Sequence, residues 1–168
     1  MKRNLVIPGT DAVGALLVDI LLGRALRVRA TTREKWKAGD RGPIAWVYLD
    51  FASGEGIEQA FAAVDRTFIA IPPEIGNPHE ALAPLVAEAK RRRLEKIVLL
   101  TPLASDGTPV RRCELEVERS GLRYEIMRAQ PGDDPRMLAL AAARLLTRDD
   151  LGNHPLKPGA PPPRLRAA

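Results

Sequence analysis

Between Asn4 and Arg128 the chain repeats one pattern: a short apolar run, a turn, and a stretch with helical spacing. Leu5-Val6-Ile7 leads through the turn Pro8 to Gly14 into an apolar stretch from Ala12 to Leu22, and Leu26 to Thr31 then alternates as a strand. Ile44 to Leu49, Arg66 to Ile71, Lys96 to Leu100 and Leu122 to Arg128 read as four more strands. Helical spacing runs over Ile57 to Val64, His79 to Arg93, Val110 to Ser120 and Arg136 to Leu146. Alternation of this kind predicts one α/β domain, because parallel strands need helical crossovers to bring the chain back. Right-handed crossovers favour a doubly wound, Rossmann-like parallel sheet of about six strands in the order 3-2-1-4-5-6, with helices on both faces. The first strand does not alternate, so it is expected to be buried on both faces.

Local signals refine the reading. Asp11 is a candidate N-cap, and Gly23 suits the position just after the first helix. Arg33 to Gly42 is charged and short, with room for one turn of helix before Pro43. Pro84 inside the third helical stretch suggests that this helix starts at Ala83.

Composition narrows the class of molecule. A length of 168 residues with 45% hydrophobic content supports one core, and with only 4% aromatics that core must be filled by aliphatic side chains. A net charge of +5 suits an anionic partner. The arginines are spread along the chain without interleaved aromatics, so a nucleic-acid surface is not expected. Cys113 stands alone, which excludes an intramolecular disulfide framework and a cysteine metal site. The apolar run after Met1 breaks at Pro8-Gly9, too early for a signal segment or a membrane span, and the expected compartment is the cytoplasm. From Gly152 onward, Pro155, Pro158 and Pro161 to Pro163 read as a flexible basic tail, which divides the chain into a domain over 1–150 and a tail over 151–168.

In such sheets ligands bind beyond the carboxyl ends of the strands, near the switch between strands one and four. The turns at Pro8 to Gly14, Thr31 to Arg33, Asp50-Phe51, Ile71 to Pro73 and Thr101 to Ser105 fall on that rim. Asp11, Asp50, His79 and Thr101 are the candidate reactive residues, with Asp11 weighed against a plain capping role and His79 against a surface role. Arg29 and Arg33 are the candidate anion binders. Glu114 and Glu118 share a helix face, where Arg111 and Arg112 favour a solvated pair. Cys113 reads as a buried spectator, and Asp133-Asp134 and Asp149-Asp150 as turn and cap residues. No metal set is expected.

Several stretches together resemble the NmrA-like branch of the atypical short-chain dehydrogenases/reductases, from about Asn4 to Gly132. They are Val13-Gly14, Val28 to Arg33, Leu49-Asp50-Phe51, Val64 to Ile69, Ile71-Pro72-Pro73, Lys96 to Thr101, and Ser120 to Arg128. The resemblance implies an NAD(P)(H) site on the rim. Gly9, Thr10, Val13 and Gly14 would lie in the phosphate turn, and Arg33, with Arg29 nearby, at the adenosine 2′-phosphate. Asp50 would meet adenine, Ile71 and Pro72 would line the nicotinamide side, and Thr101 would stand at the strand-five rim.

The chain also departs from the family pattern. The family's G-x-x-G-x-x-G falls on Pro8, Asp11 and Gly14. Pro8 has no N–H for a phosphate, and Asp11 sets a carboxylate where the pyrophosphate would sit. Gly9 replaces the first glycine only if the turn shifts by one. The superfamily's Tyr-x-x-x-Lys pair falls on Val110 and Glu114. The family's region beyond strand six is replaced by one helix and the proline tail, so the crevice is expected to be open or closed by another chain. These departures favour a crevice that binds a small organic molecule with no cofactor, for a non-redox step such as a cyclisation or isomerisation. The alternatives are an NADPH-dependent reductase of a small carbonyl, imine or quinone, and a non-catalytic nucleotide sensor or subunit docked on a partner protein or a second copy.

Overall fold

The computed structural model describes residues 1–103 and 107–150. The tail assigned from Gly152, His154 within it, and part of the Thr101 to Ser105 turn lie outside the described residues. The central strand is β1 (Arg3–Ile7), and Leu5, Val6 and Ile7 are all fully buried. Its flat apolar run lets it sit between β2 (Arg27–Thr32) and β5 (Arg66–Ala70), parallel to both. Beyond β2 lies β4 (Ile44–Tyr48), and beyond β5 lie β6 (Lys96–Pro102) and β7 (Arg123–Ala129). These six parallel strands follow the expected order.

A seventh strand was not foreseen. The segment before Pro43 forms a 3-10 turn over Lys35–Lys37 and then β3 (Gly39–Arg41), which pairs antiparallel with β4 at the sheet edge. Gly42, at φ 67°, makes the reversal between them. Gly-Asp-Arg is wholly exposed and carries no apolar periodicity. It is a strand only because β4 offers an open edge, which a reading of hydrophobic pattern cannot detect.

Two largely aliphatic cores, which also bury Phe51, Phe61 and Phe68, flank the sheet. On one face Val6, Phe68 and Val98 meet α1 (Ala12–Gly23) and α5 (Pro135–Thr147). On the other face Leu5, Ile7, Ile69 and Leu99 meet α2 (Ile57–Ala60), α3 (Pro78–Arg91) and α4 (Pro109–Glu118). Three helix boundaries correct the expectation. The left-handed residue after α1 is Ala25 at φ 56°, two positions beyond Gly23. The short α2 stops after one turn, with Ala63 at φ 53° just beyond it. The start of α3 is Pro78, capped by the Asn77 side chain, so Pro84 lies within the helix on its exposed side. An exposed Pro84 costs one backbone bond without placing its ring in the core.

At the amino ends of the strands, two buried cations hold α5 in place. Lys96 Nζ donates to the carbonyls of Leu145 (2.8 Å) and Arg148 (2.5 Å). Arg66 Nη1 donates to those of Leu146 (3.0 Å) and Thr147 (2.9 Å). A helix leaves its last four carbonyls without partners and carries partial negative charge there, so two cations meet both needs. Among the described residues no helix is long and apolar enough to cross a membrane.

Candidate functional site

At the opposite end of the sheet the strand ends part around a cleft of about 400 Å³. Its floor is Ala70, Leu99 and Leu100, and its walls are Ile71, Pro72, Ile75 and Pro78 on one side and Val110 and Cys113 of α4 on the other. Thr101, Pro102 and Ala129 come from the ends of β6 and β7, and Asp11 closes the β1 side. Consecutive prolines after β5 end the strand because neither has an N–H for a ladder bond, and the chain turns away there, with Ile75 N–H donating to Pro72 O at 3.0 Å. The cleft lies where β1 and β5 run side by side while their crossovers leave in opposite directions, which is the switch point of the fold.

The phosphate turn is tightly committed. Gly9 N–H donates to Thr31 O at 2.8 Å. A Cβ at Gly9 would lie 2.6 Å from Ala30 Cβ and 2.9 Å from the Trp46 ring, so Gly9 is required by packing against β2 and β4. A Cβ at Gly14 would overlap the carbonyl oxygen of Pro8, so only glycine allows α1 to approach β1 this closely. Asp11 Oδ1 accepts the Gly14 N–H at 2.6 Å and caps α1. Burial pushes the Asp11 carboxyl above its usual range, the Gly14 bond opposes this, and the negative charge of Glu74 adds to it. Thr10 is exposed and Val13 half-buried against the α1 core.

These residues do not fit a pyrophosphate in the family's manner. Pro8 has no amide proton, the Gly9 amide is used within the fold, and a carboxylate already occupies the end of α1. The adenosine end of the rim fits better. Arg33 is exposed and its Nη2 reaches Glu74 Oε1 at 2.8 Å, a solvent-screened pair that a phosphate can displace. Asp50 accepts from Ser53 Oγ (2.7 Å) and Ala52 N–H (3.0 Å), and these bonds hold its carboxyl below the ordinary value.

Other candidates lie apart from the cleft. Arg29 sits in mid-strand opposite Leu5 and Ala45 and donates to the Gln59 carbonyl of α2 at 2.5 Å, so it and Arg33 are each held by a separate partner. His79 turns to α4 and meets Glu116 Oε2 at 3.1 Å, while its neighbour Pro78 lines the cleft. Cys113 does line the cleft, but burial pushes its thiol up to about 11, which leaves it protonated at neutral pH. Asp134 caps α5 and Asp133 closes the preceding turn on Gln130 N–H. Asp149 pairs with Lys2 and Arg66, and Asp150 with Arg148. Among the described residues no group of three or more His, Cys, Asp or Glu is placed to hold a metal ion.

The solvated reading of Glu114 is corrected. Its side chain is only 2% exposed and lies against Thr101, which lines the cleft. Arg128 clasps it with Nε (2.8 Å) and Nη2 (2.9 Å), Arg111 Nη1 donates at 2.8 Å, and Thr101 Oγ1 donates at 3.1 Å. Burial alone would raise the Glu114 carboxyl, but these donors outweigh it and hold the carboxyl below its usual range. Arg111 also reaches Glu118 at 2.7 Å. The i, i+3 and i+7 spacing of Arg111, Glu114 and Glu118 was visible in the sequence. The partners Thr101 and Arg128 come from other elements, and they decide that this face turns inward.

The comparisons with known proteins agree on the fold. No family model matches the chain. It is 30% identical over 129 residues to prestalk A differentiation protein A of Dictyostelium discoideum, covering 74% of this chain and 43% of that protein. It is 26% identical over 113 residues to the uncharacterized oxidoreductase YesF of Bacillus subtilis, covering 66% and 38%. The chain thus spans about two fifths of the length of these relatives. Among solved structures it is similar to triphenylmethane reductase from Citrobacter sp. complexed with NADP(H), with a TM-score of 0.74, 19% identity, and coverage of 91% of this chain and 68% of that one. It is also similar to NmrA, a negative transcriptional regulator in complex with NADP, with a TM-score of 0.64, 15% identity, and coverage of 74% and 44%. The chain has a Rossmann-like α/β fold. NmrA itself stands among its structural neighbours, as the sequence resemblance implies.

Proposed function

We propose that this chain is an NmrA-like Rossmann-fold protein whose strand-end cleft binds a small, largely apolar organic molecule. One observation carries the reading: a cleft of about 400 Å³ with an almost wholly apolar lining opens at the switch point of the sheet. That is the size and character of a small-molecule site. Placing a bulky side chain at its wall, Val110→Trp, is expected to abolish binding of apolar ring compounds followed by fluorescence or native mass spectrometry. Undiminished binding in that variant would place the ligand elsewhere and end the proposal. A non-redox conversion on this site is tested by turnover of a bound compound with all nicotinamide nucleotide removed. Its support is the committed phosphate turn, and the proteins this chain is similar to include a reductase and an uncharacterized oxidoreductase.

A second reading, an NADPH-dependent reductase, is favoured by Arg33 at the end of β2 and Asp50 after β4, together with the structural neighbours that hold NADP(H) or NADP. Titration with NADPH and NADH separates the two readings. Saturable NADPH binding whose preference over NADH is lost in Arg33→Ala supports the reductase. Absence of binding at millimolar nucleotide removes it.

A further inference from the structure

The charges around the cleft are unevenly matched. Glu114, against Thr101, is neutralised by Arg128 and Arg111. Thr101 spends its hydroxyl proton on Glu114, and Arg33 is held by Glu74. Asp11 is different. Among the described residues it is the one charged residue in the cleft lining, its capping bond engages Oδ1 alone, and the neighbouring charge it feels is another carboxylate, Glu74. Half-buried at the edge of an apolar cavity, it repels an anion and presents a neutral guest with a negative charge offset only by the amino end of α1.

We propose that the cleft selects an organic cation: a compact apolar ring system bearing a protonated amine, with the rings on Leu99, Leu100 and Ile71 and the ammonium on the Asp11 carboxylate. This rests on the reading that the cleft binds an organic molecule and names the class of that molecule. It also gives the Asp11 carboxylate a role beyond capping, in a phosphate turn that Pro8 and Gly9 already restrict. The carboxylate that competes with a pyrophosphate for the end of α1 is the group that attracts a cation.

The test uses three near-isosteric fluorescent probes on the full chain at neutral pH: 1-naphthylmethylammonium, 1-naphthalenemethanol and 1-naphthoate. The cation is expected to bind about tenfold more tightly than the alcohol, and the carboxylate most weakly, as a partly desolvated charge pair would give. Asp11→Asn keeps a good N-cap, so the fold is retained. It should bring the cation to the affinity of the alcohol and leave the alcohol unchanged. Equal binding of cation and alcohol in the wild type, or a cation preference that survives Asp11→Asn, overturns the inference. If the alcohol still binds and is lost in Val110→Trp, the cleft reading stands without it. If none of the three probes binds, both fall together.

Discussion

The two ends of the sheet use charge in opposite ways. At the amino end, Lys96 and Arg66 are 1% and 4% exposed; both donate to the last carbonyls of α5, and Arg66 also pairs with Glu95 and Asp149. At the carboxyl end, Glu114 is similarly buried and similarly engaged, but Asp11 nearby has, among the described residues, only an amide for a partner. Buried charge is tolerated where donors and acceptors surround it, and such groups belong to the fold. A charge left without a counter-charge beside a cavity is the one to assign to a ligand. The difference therefore sorts four charged residues into three that build the molecule and one, Asp11, that lines the cleft.

Substitutions at the two ends should sharpen that division. The largest effect is expected at Lys96→Ala, which leaves two carbonyls at the end of α5 without donors and removes a buried side chain. A loss of about 3 kcal/mol in denaturant unfolding follows from the usual worth of charged hydrogen bonds. Probe binding in the distant cleft should be unchanged. A loss below about 1 kcal/mol would mean that α5 is held by its apolar face alone.

Glu114→Gln should cost about 2 kcal/mol, because Arg128 and Arg111 lose their counter-charge. The same variant should change the acid limb of stability. Hydrogen bonds hold the folded Glu114 carboxyl below the ordinary value of 4.5, so its contribution is present above that value and is lost as pH falls through the folded pKa. Wild type should therefore lose stability on acidification below about pH 4.5 more steeply than Glu114→Gln. Parallel curves for the two proteins would show that Glu114 is not the group responsible.

Asp11→Gly is smaller in its effect on folding, since glycine is a tolerable N-cap, and its readout is nucleotide affinity. Removing the carboxylate from the end of α1 should tighten NADPH binding by about tenfold in a fluorescence titration. An unchanged affinity would locate the obstacle at Pro8 and Gly9 instead. The smallest effect is expected at Arg33→Ala, because the Arg33–Glu74 pair is solvent-screened. The melting temperature should stay where it is, and a clear drop would show that the pair closes the rim.

Much of this was legible along the chain because it depends on local periodicity. The apolar run at Leu5 to Ile7, the prolines at 72 and 73 and the Asp11 cap each announce their element within a few residues. The six parallel strands follow from alternation and handed crossovers. The rim residues Ile71, Pro72 and Thr101 were placed at strand ends by the same reasoning, and they line the cleft. What escaped was set by distant partners. Strand β3 exists only against the edge of β4, Arg29 is drawn to a carbonyl of α2, and His79 turns to Glu116. The inward face of α4 is defined by Arg128 and Thr101, which lie 14 and 13 positions from Glu114.

The sequence by itself determined the α/β alternation, the parallel order, the largely aliphatic core and the broken glycine pattern, because each is written in spacing or in the chemistry of single residues. Tertiary structure alone decided which charges are matched. Ion pairing depends on where crossovers bring separate elements together, and the amino-acid order carries no direct record of that distance. In the sequence Lys96 reads only as the start of a strand and Glu114 as a solvated helix charge. The fold buries both and surrounds them with partners, and among the described residues it leaves Asp11 at the cleft with a helix amide and no cation.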